Sequence, residues 1–126
     1  QLGEVYTAPV DVRLSPHSVV QPDLLFIRND RLHIYGPTGP VEGAPDLVVE
    51  IVSPSSQVMD RVRKAALYAD SGVSEYWIVD PEKREVQVLV LAQGRYEPVE
   101  SEAGELPSTV IPGLVVDPDV LFAGLD

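Results

Sequence analysis

Residues 46–52, Asp-Leu-Val-Val-Glu-Ile-Val, are apolar apart from two acids. A segment so rich in Val, Leu and Ile predicts a strand buried on both faces, and such a strand must lie inside a layered sheet. Side chains alternate along a strand, so Asp46, Val48, Glu50 and Val52 share one face, with Leu47, Val49 and Ile51 on the other. Glu50 is therefore a carboxylate in the middle of a core element. Burying an unpaired charge costs several kcal/mol. Something must neutralise Glu50, and a divalent cation is one candidate.

The elements around this strand are punctuated by Gly and Pro. Val5–Leu14 predicts a first strand ending at Ser15-Pro16, and Pro22–Arg28 a second, apolar at Leu24, Leu25, Phe26 and Ile27. Gly36–Pro40 and Gly43–Pro45 read as loop. After the central strand, Ser53-Pro54-Ser55-Ser56 offers cap residues for a helix over about Gln57–Ser71. Val62, Ala65, Ala66 and Ala69 supply its expected packing stripe, and Gly72 its terminator. Glu75–Val79, stopped by Asp80-Pro81, predicts a further strand. Glu85–Leu91, a Gln93-Gly94 turn and Arg95–Val99 follow, and Leu114–Val116 with Val120–Ala123 close the chain. The expected order is βββαββ with a short tail, an α/β fold with a mixed sheet.

The chain has 126 residues, enough for one domain with a real core and too few for two, so 1–126 reads as a single domain. Its apolar content is 44%. No run approaches the roughly 18 apolar residues needed to span a bilayer, so no membrane partner is expected. Cysteine is absent, which excludes disulfides and thiolate metal sites and is compatible with a cytoplasmic location. A net charge of −11 argues against a protein that coats nucleic acid, though not against a nuclease with acidic metal ligands and a local basic strip. Arg61, Arg63, Lys64, Lys83 and Arg84 are the locally clustered bases. The sequence opens on Gln1 and runs directly into a strand, which leads to the expectation that an N-terminal portion is missing.

If the second and third strands pair antiparallel, Asp23 falls roughly opposite Glu50. Directly opposed residues sit about 4.5–5.5 Å apart. Two carboxylates that close repel and raise the pKa of one of them. A Mg²⁺ or Mn²⁺ ion would relieve this, because hard cations take oxygen ligands. Asp60, Lys64 and Tyr68 lie four residues apart on the following helix and share a face. That face could return over the metal, where the Lys64 ammonium would orient the attacking water or stabilise charge developing on a phosphate.

Four strings in order carry a family resemblance: Gln21–Leu24, Pro45–Ser56, Arg63–Tyr68 and Gly72–Pro81. Together they resemble the Uma-type restriction endonucleases of the PD-(D/E)XK nuclease superfamily, over nearly the whole chain and most densely over residues 21–81. The resemblance implies a restriction-endonuclease-like core, Pro22-Asp23 as the proline–aspartate pair, and Glu50 as the second acid. The superfamily lysine would stand two residues after that acid, where this chain has Val52, so the resemblance hands the role to Lys64. It also implies a helix before the first strand that these residues lack. The expected function is a Mg²⁺-dependent endonuclease hydrolysing DNA, with Asp23 and Glu50 as metal ligands and Lys64 assisting the water.

The competing reading is a catalytically degenerate nuclease fold serving as a dimerising or partner-binding module. The negative charge, Val52 and the abrupt start all favour it. A homodimer fits either reading, since a truncated sheet exposes edges. Each residue also has a plainer role. Glu50 could be a structural acid paired with Lys64, Asp23 a strand cap, and Lys64 a solvated partner of Asp60 worth only ~0.3–0.5 kcal/mol. Asp46 follows Pro45 as ordinary turn chemistry, and Asp80 reads as a strand terminator. His17 and His33 have no ligand-spaced partner, and the serines at 53, 55 and 56 have no histidine to activate them.

Overall fold

The computed structural model describes residues 2–53 and 58–123. The elements in chain order are β1 (Gly3–Thr7), β2 (Val12–Ser15), β3 (Ser18–Val20), β4 (Leu24–Arg28), a 3-10 helix (Asn29–Ile34), β5 (Val41–Glu42), β6 (Leu47–Ile51), α1 (Val58–Ser71), β7 (Glu75–Asp80), β8 (Glu85–Ala92), β9 (Arg95–Pro98), β10 (Leu106–Pro107), β11 (Val115–Val116) and α2 (Pro118–Ala123). Six strands form one mixed sheet in the order β1-β4-β6-β7-β8-β9. Among the described residues, its only parallel pair is β6 with β7. That pair needs a long crossover, and α1 supplies it. The apolar run that predicted a doubly buried strand is β6, third in the order, with Leu47, Val48, Val49 and Glu50 all buried.

Alternation divides the sheet into two faces with different covers. Val48 and Tyr76 pack with Tyr68 and Val73 under α1. Leu25 and Ile27 lie on that same face, against Val12 and Val41 of a small sheet ordered β3-β2-β5. On the opposite face, Phe26, Leu47, Val49 and Val79 meet Phe122 of α2, with Trp77, Val110 and Ile111 packed alongside. Tyr76 and Trp77 thus go to opposite sides, as neighbours on a strand must.

The structure differs from the sequence reading in several elements. The expected strand Val5–Leu14 is two, β1 and β2, in different sheets. Pro9 has no N–H to donate, so the ladder stops there and the chain crosses to the small sheet. β3, β5 and the 3-10 helix are too short to give a periodic signal. The stripe of α1 is also rotated from the expected one: Tyr68 is fully buried and Ala65 and Ala69 partly so, while Val62 is 59% exposed and Ala66 faces solvent. The bulkiest apolar group dictates which side of a helix turns inward, and here that group is a tyrosine. The expected caps at 54–56 and the expected first helical residue, Gln57, lie outside the described residues.

Other local signals hold. Gly72 adopts φ +87°, and Val73 N–H donates to Tyr68 C=O while Gly72 N–H donates to Ala69 C=O. This paired closure is a Schellman motif, and it needs the left-handed conformation that glycine adopts without penalty. Gln93 and Gly94 both have positive φ between paired Ala92 and Arg95, a two-residue turn of the kind that suits strand twist. Asp80 ends β7 by accepting the Lys83 N–H at 3.1 Å.

Candidate active site

The β4–β6 register pairs Leu24 with Val49 and Leu25 with Val48, so the next position outward sets Asp23 opposite Glu50. Asp23 stands just before β4, and its Oδ2 accepts the Ile51 N–H at 2.7 Å. That bond ties the two strand ends together and fixes the direction of the carboxylate. Glu50 sits on the helix-covered face with only 6% exposure. Its Oε2 accepts a 2.6 Å hydrogen bond from the Tyr68 hydroxyl and lies 3.5 Å from the Lys64 ammonium. Both donors come from one face of α1, spaced four residues apart as one turn requires. Lys64 keeps 45% of its side chain in solvent, so its ammonium bridges the buried acid and the outside. A pocket of about 70 Å³ opens here, lined by Glu50, Ile51, Val52, Asp60, Arg61, Lys64 and Tyr76.

Burial raises the Glu50 carboxyl above its ordinary value, and the Asp23 charge adds to the rise. The Tyr68 hydroxyl and Lys64 work the other way by favouring the ionised form. Burial also pushes the Tyr68 and Tyr76 hydroxyls well above the usual phenol range. Tyr68 therefore acts as a permanent donor to Glu50.

The donor set fits a hard cation. Mg²⁺ usually keeps several waters and takes only one or two carboxylates, with substrate phosphate completing the shell. Among the described residues, Oδ1 of Asp23 and Oε1 of Glu50 are left by the contacts above, and Asp23 raises the very pKa that a cation would lower. No group of three or more His, Cys, Asp or Glu gathers at ligand spacing among the described residues. Any ion here would rest on two carboxylates and on water.

The other acids have different work. Asp46 accepts the Arg28 N–H at 2.8 Å and pairs with Arg31 at 2.9 Å, fastening the 3-10 helix to β6. Asp60 pairs with Arg63 at 3.8 Å and not with Lys64. Sequence reasoning placed Tyr68 on the Lys64 face but gave it no role, counted Arg61 only among the clustered bases, and passed over Tyr76 as a site residue. It also missed Glu75, which is fully buried on the opposite face. There Glu75 accepts bonds from Trp77 Nε1, the Ser108 hydroxyl, the Thr109 N–H and hydroxyl, and the Val110 N–H. Only the Trp77 partner, two residues away, could have been guessed from spacing.

A family model described as "Uma2: Putative restriction endonuclease" matches residues 1–119. The chain belongs to the Uma2 family. No curated protein matches it. Among solved structures, it resembles a putative nuclease belonging to DUF820 from Anabaena variabilis, with a TM-score of 0.78 at 18% identity, covering 99% of this chain and 70% of that one. The likeness establishes a nuclease-like mixed α/β fold, and Uma2 membership supports a nuclease function. Among the described residues, no helix is long and apolar enough to cross a membrane.

Proposed function

We propose that this Uma2 domain is a metal-dependent endonuclease that hydrolyses DNA phosphodiester bonds. In this reading Asp23 and Glu50 hold Mg²⁺ or Mn²⁺, and Lys64 assists the attacking water. The observation that carries it is the convergence of Lys64 on a buried Glu50 that lies across the ladder from Asp23. A bound cation would polarise the phosphoryl oxygens and make its water more acidic. The protein's own groups do the rest. Tyr68 holds Oε2 of Glu50, so Oε1 would be the oxygen to hold the ion. Asp23 is oriented by the Ile51 N–H. Lys64, half in solvent, orients a water or stabilises negative charge developing on phosphate.

DNA is the proposed substrate, the cytoplasm the proposed location and a homodimer the proposed assembly. β1 and β9 are the outer strands on which a second copy could build. Sedimentation velocity should show a species of twice the 13.7 kDa chain mass at micromolar concentration.

The test is calorimetric titration of Mg²⁺ and Mn²⁺ into wild type and Glu50→Gln, with a DNA cleavage assay alongside. Wild type should bind and cleave, and the variant should do neither. One observation favours a second reading, a partner-binding module that has lost catalysis: Glu50 already has an ion pair with Lys64 and a hydrogen bond from Tyr68. Equal cation binding by both proteins, or none by either, would support that module instead.

A further inference from the structure

A second basic side chain besides Lys64 lines the pocket beside Glu50. Arg61 stands one turn before Lys64 on α1 and lines the same pocket. Its Nε is buried and has no hydrogen-bond partner among the described residues. A buried donor left unpaired costs about 1–3 kcal/mol, and more when it is charged. The nearby acids do not relieve it. Asp60 turns to Arg63, and Oε2 of Glu50 is taken by Tyr68 and Lys64. The chain as a whole is strongly acidic, yet three of its 9 Lys and Arg residues fall at positions 61, 63 and 64.

We propose that Arg61 is the phosphate-holding residue of this pocket, donating from its guanidinium to a non-bridging oxygen of the phosphodiester group that lies over Glu50 and Lys64. The guanidinium is a planar fork suited to phosphate, whereas Lys64 acts as a point charge. The two cations then divide the work. Arg61 fixes the phosphate in the ground state, and Lys64 meets charge as it develops. Arg61 shares the lining of this pocket with Tyr76, and its charge favours ionisation of the Tyr76 hydroxyl against burial. This inference rests on the nuclease reading for its substrate, but not for the phosphate contact itself.

The test separates the two. The side-chain Nε–H resonance of Arg61 in ¹⁵N-labelled protein is followed while dithymidine dinucleotide, which carries one phosphodiester, is added without divalent ions. A saturable shift of that resonance is expected. Cleavage of duplex DNA with Mg²⁺ is then compared among wild type, Arg61→Gln, Arg61→Lys and the exposed control Arg63→Gln. Arg61→Gln should raise KM about tenfold or more with a smaller change in kcat, and should lower the salt slope of duplex binding by about 0.9, as one lost phosphate contact requires. Arg61→Lys should recover part of the loss, and Arg63→Gln should leave KM within about twofold. An unresponsive Arg61 resonance, or wild-type KM and salt slope in Arg61→Gln, overturns the proposal even if DNA is cleaved. A shift of the Arg61 resonance in a protein that cleaves no DNA upholds the phosphate site and removes the nuclease reading.

Discussion

Glu50 holds a charge where water is nearly excluded, and the consequence can be measured. Its carboxyl is raised in the folded state, chiefly by burial. A raised acid favours folding below its unfolded pKa, and that contribution is lost as pH rises through the folded value. Above the folded value the ionised carboxylate therefore works against the fold. Glu50→Gln should raise Tm there and flatten the fall in stability between the unfolded and folded values, as thermal melts across the pH range will show. Cation affinity in wild type should weaken as pH drops through the raised value, because a protonated Glu50 is no ligand. Tyr68→Phe has the opposite sign on stability. It removes a buried donor to a carboxylate, a loss of about 1.5–3 kcal/mol by urea denaturation, and should cut Mn²⁺ affinity about 10–100-fold by calorimetry. The opposition of Asp23 and Glu50 was legible because strand side chains repeat every two residues and an antiparallel register needs one anchor. The hydroxyl of Tyr68 was not. Spacing shows that two residues share a helix face, but not whether one of them reaches an acid on a distant strand.

At the scale of elements, α1 brings Lys64 and Tyr68 to Glu50, and its position depends on how it stops. The Gly72 closure turns the chain directly into Val73, which is fully buried, and then into β7. Gly72→Ala should cost about 1–2 kcal/mol, since a Cβ in the left-handed region is strained even with open space around it. Denaturant titration measures the loss, and a matching fall in cation affinity would show that the helix end positions Lys64 and Tyr68. That terminator was readable because the physics of a helix end is local. The same holds for the Gln93-Gly94 turn. The split of the first strand needed only more weight on Pro9. α2 was missed although its signal was present: Asp117 caps the Asp119 N–H at 3.0 Å and Pro118 takes the first helical position. The short β3 and β5 could not be read, since their pairing is decided by distant partners.

For the whole molecule, one sheet serves two purposes. Its α1 face carries the candidate site, and its other face is closed by the C-terminal segment. Glu75 joins that segment to the sheet, and among the described residues it is met by neutral donors from Trp77 and residues 108–110. Glu75→Ala strips an acceptor from all of them at once. It should destabilise the protein by about 3 kcal/mol or more, and a shift in Trp77 emission should report the freed indole. Ser108 passes the connection on by accepting the Ile111 N–H at 3.1 Å. The tail is thus part of the electrostatic balance of the sheet. A chain cut before Ser108 would retain a bare anion inside its central layer, with Trp77 alone to face it. The half that bears Asp23, Glu50 and Lys64 and the half that seals the far side should melt as one cooperative unit, and protease nicking near residue 107 should silence a site on the other face of the sheet.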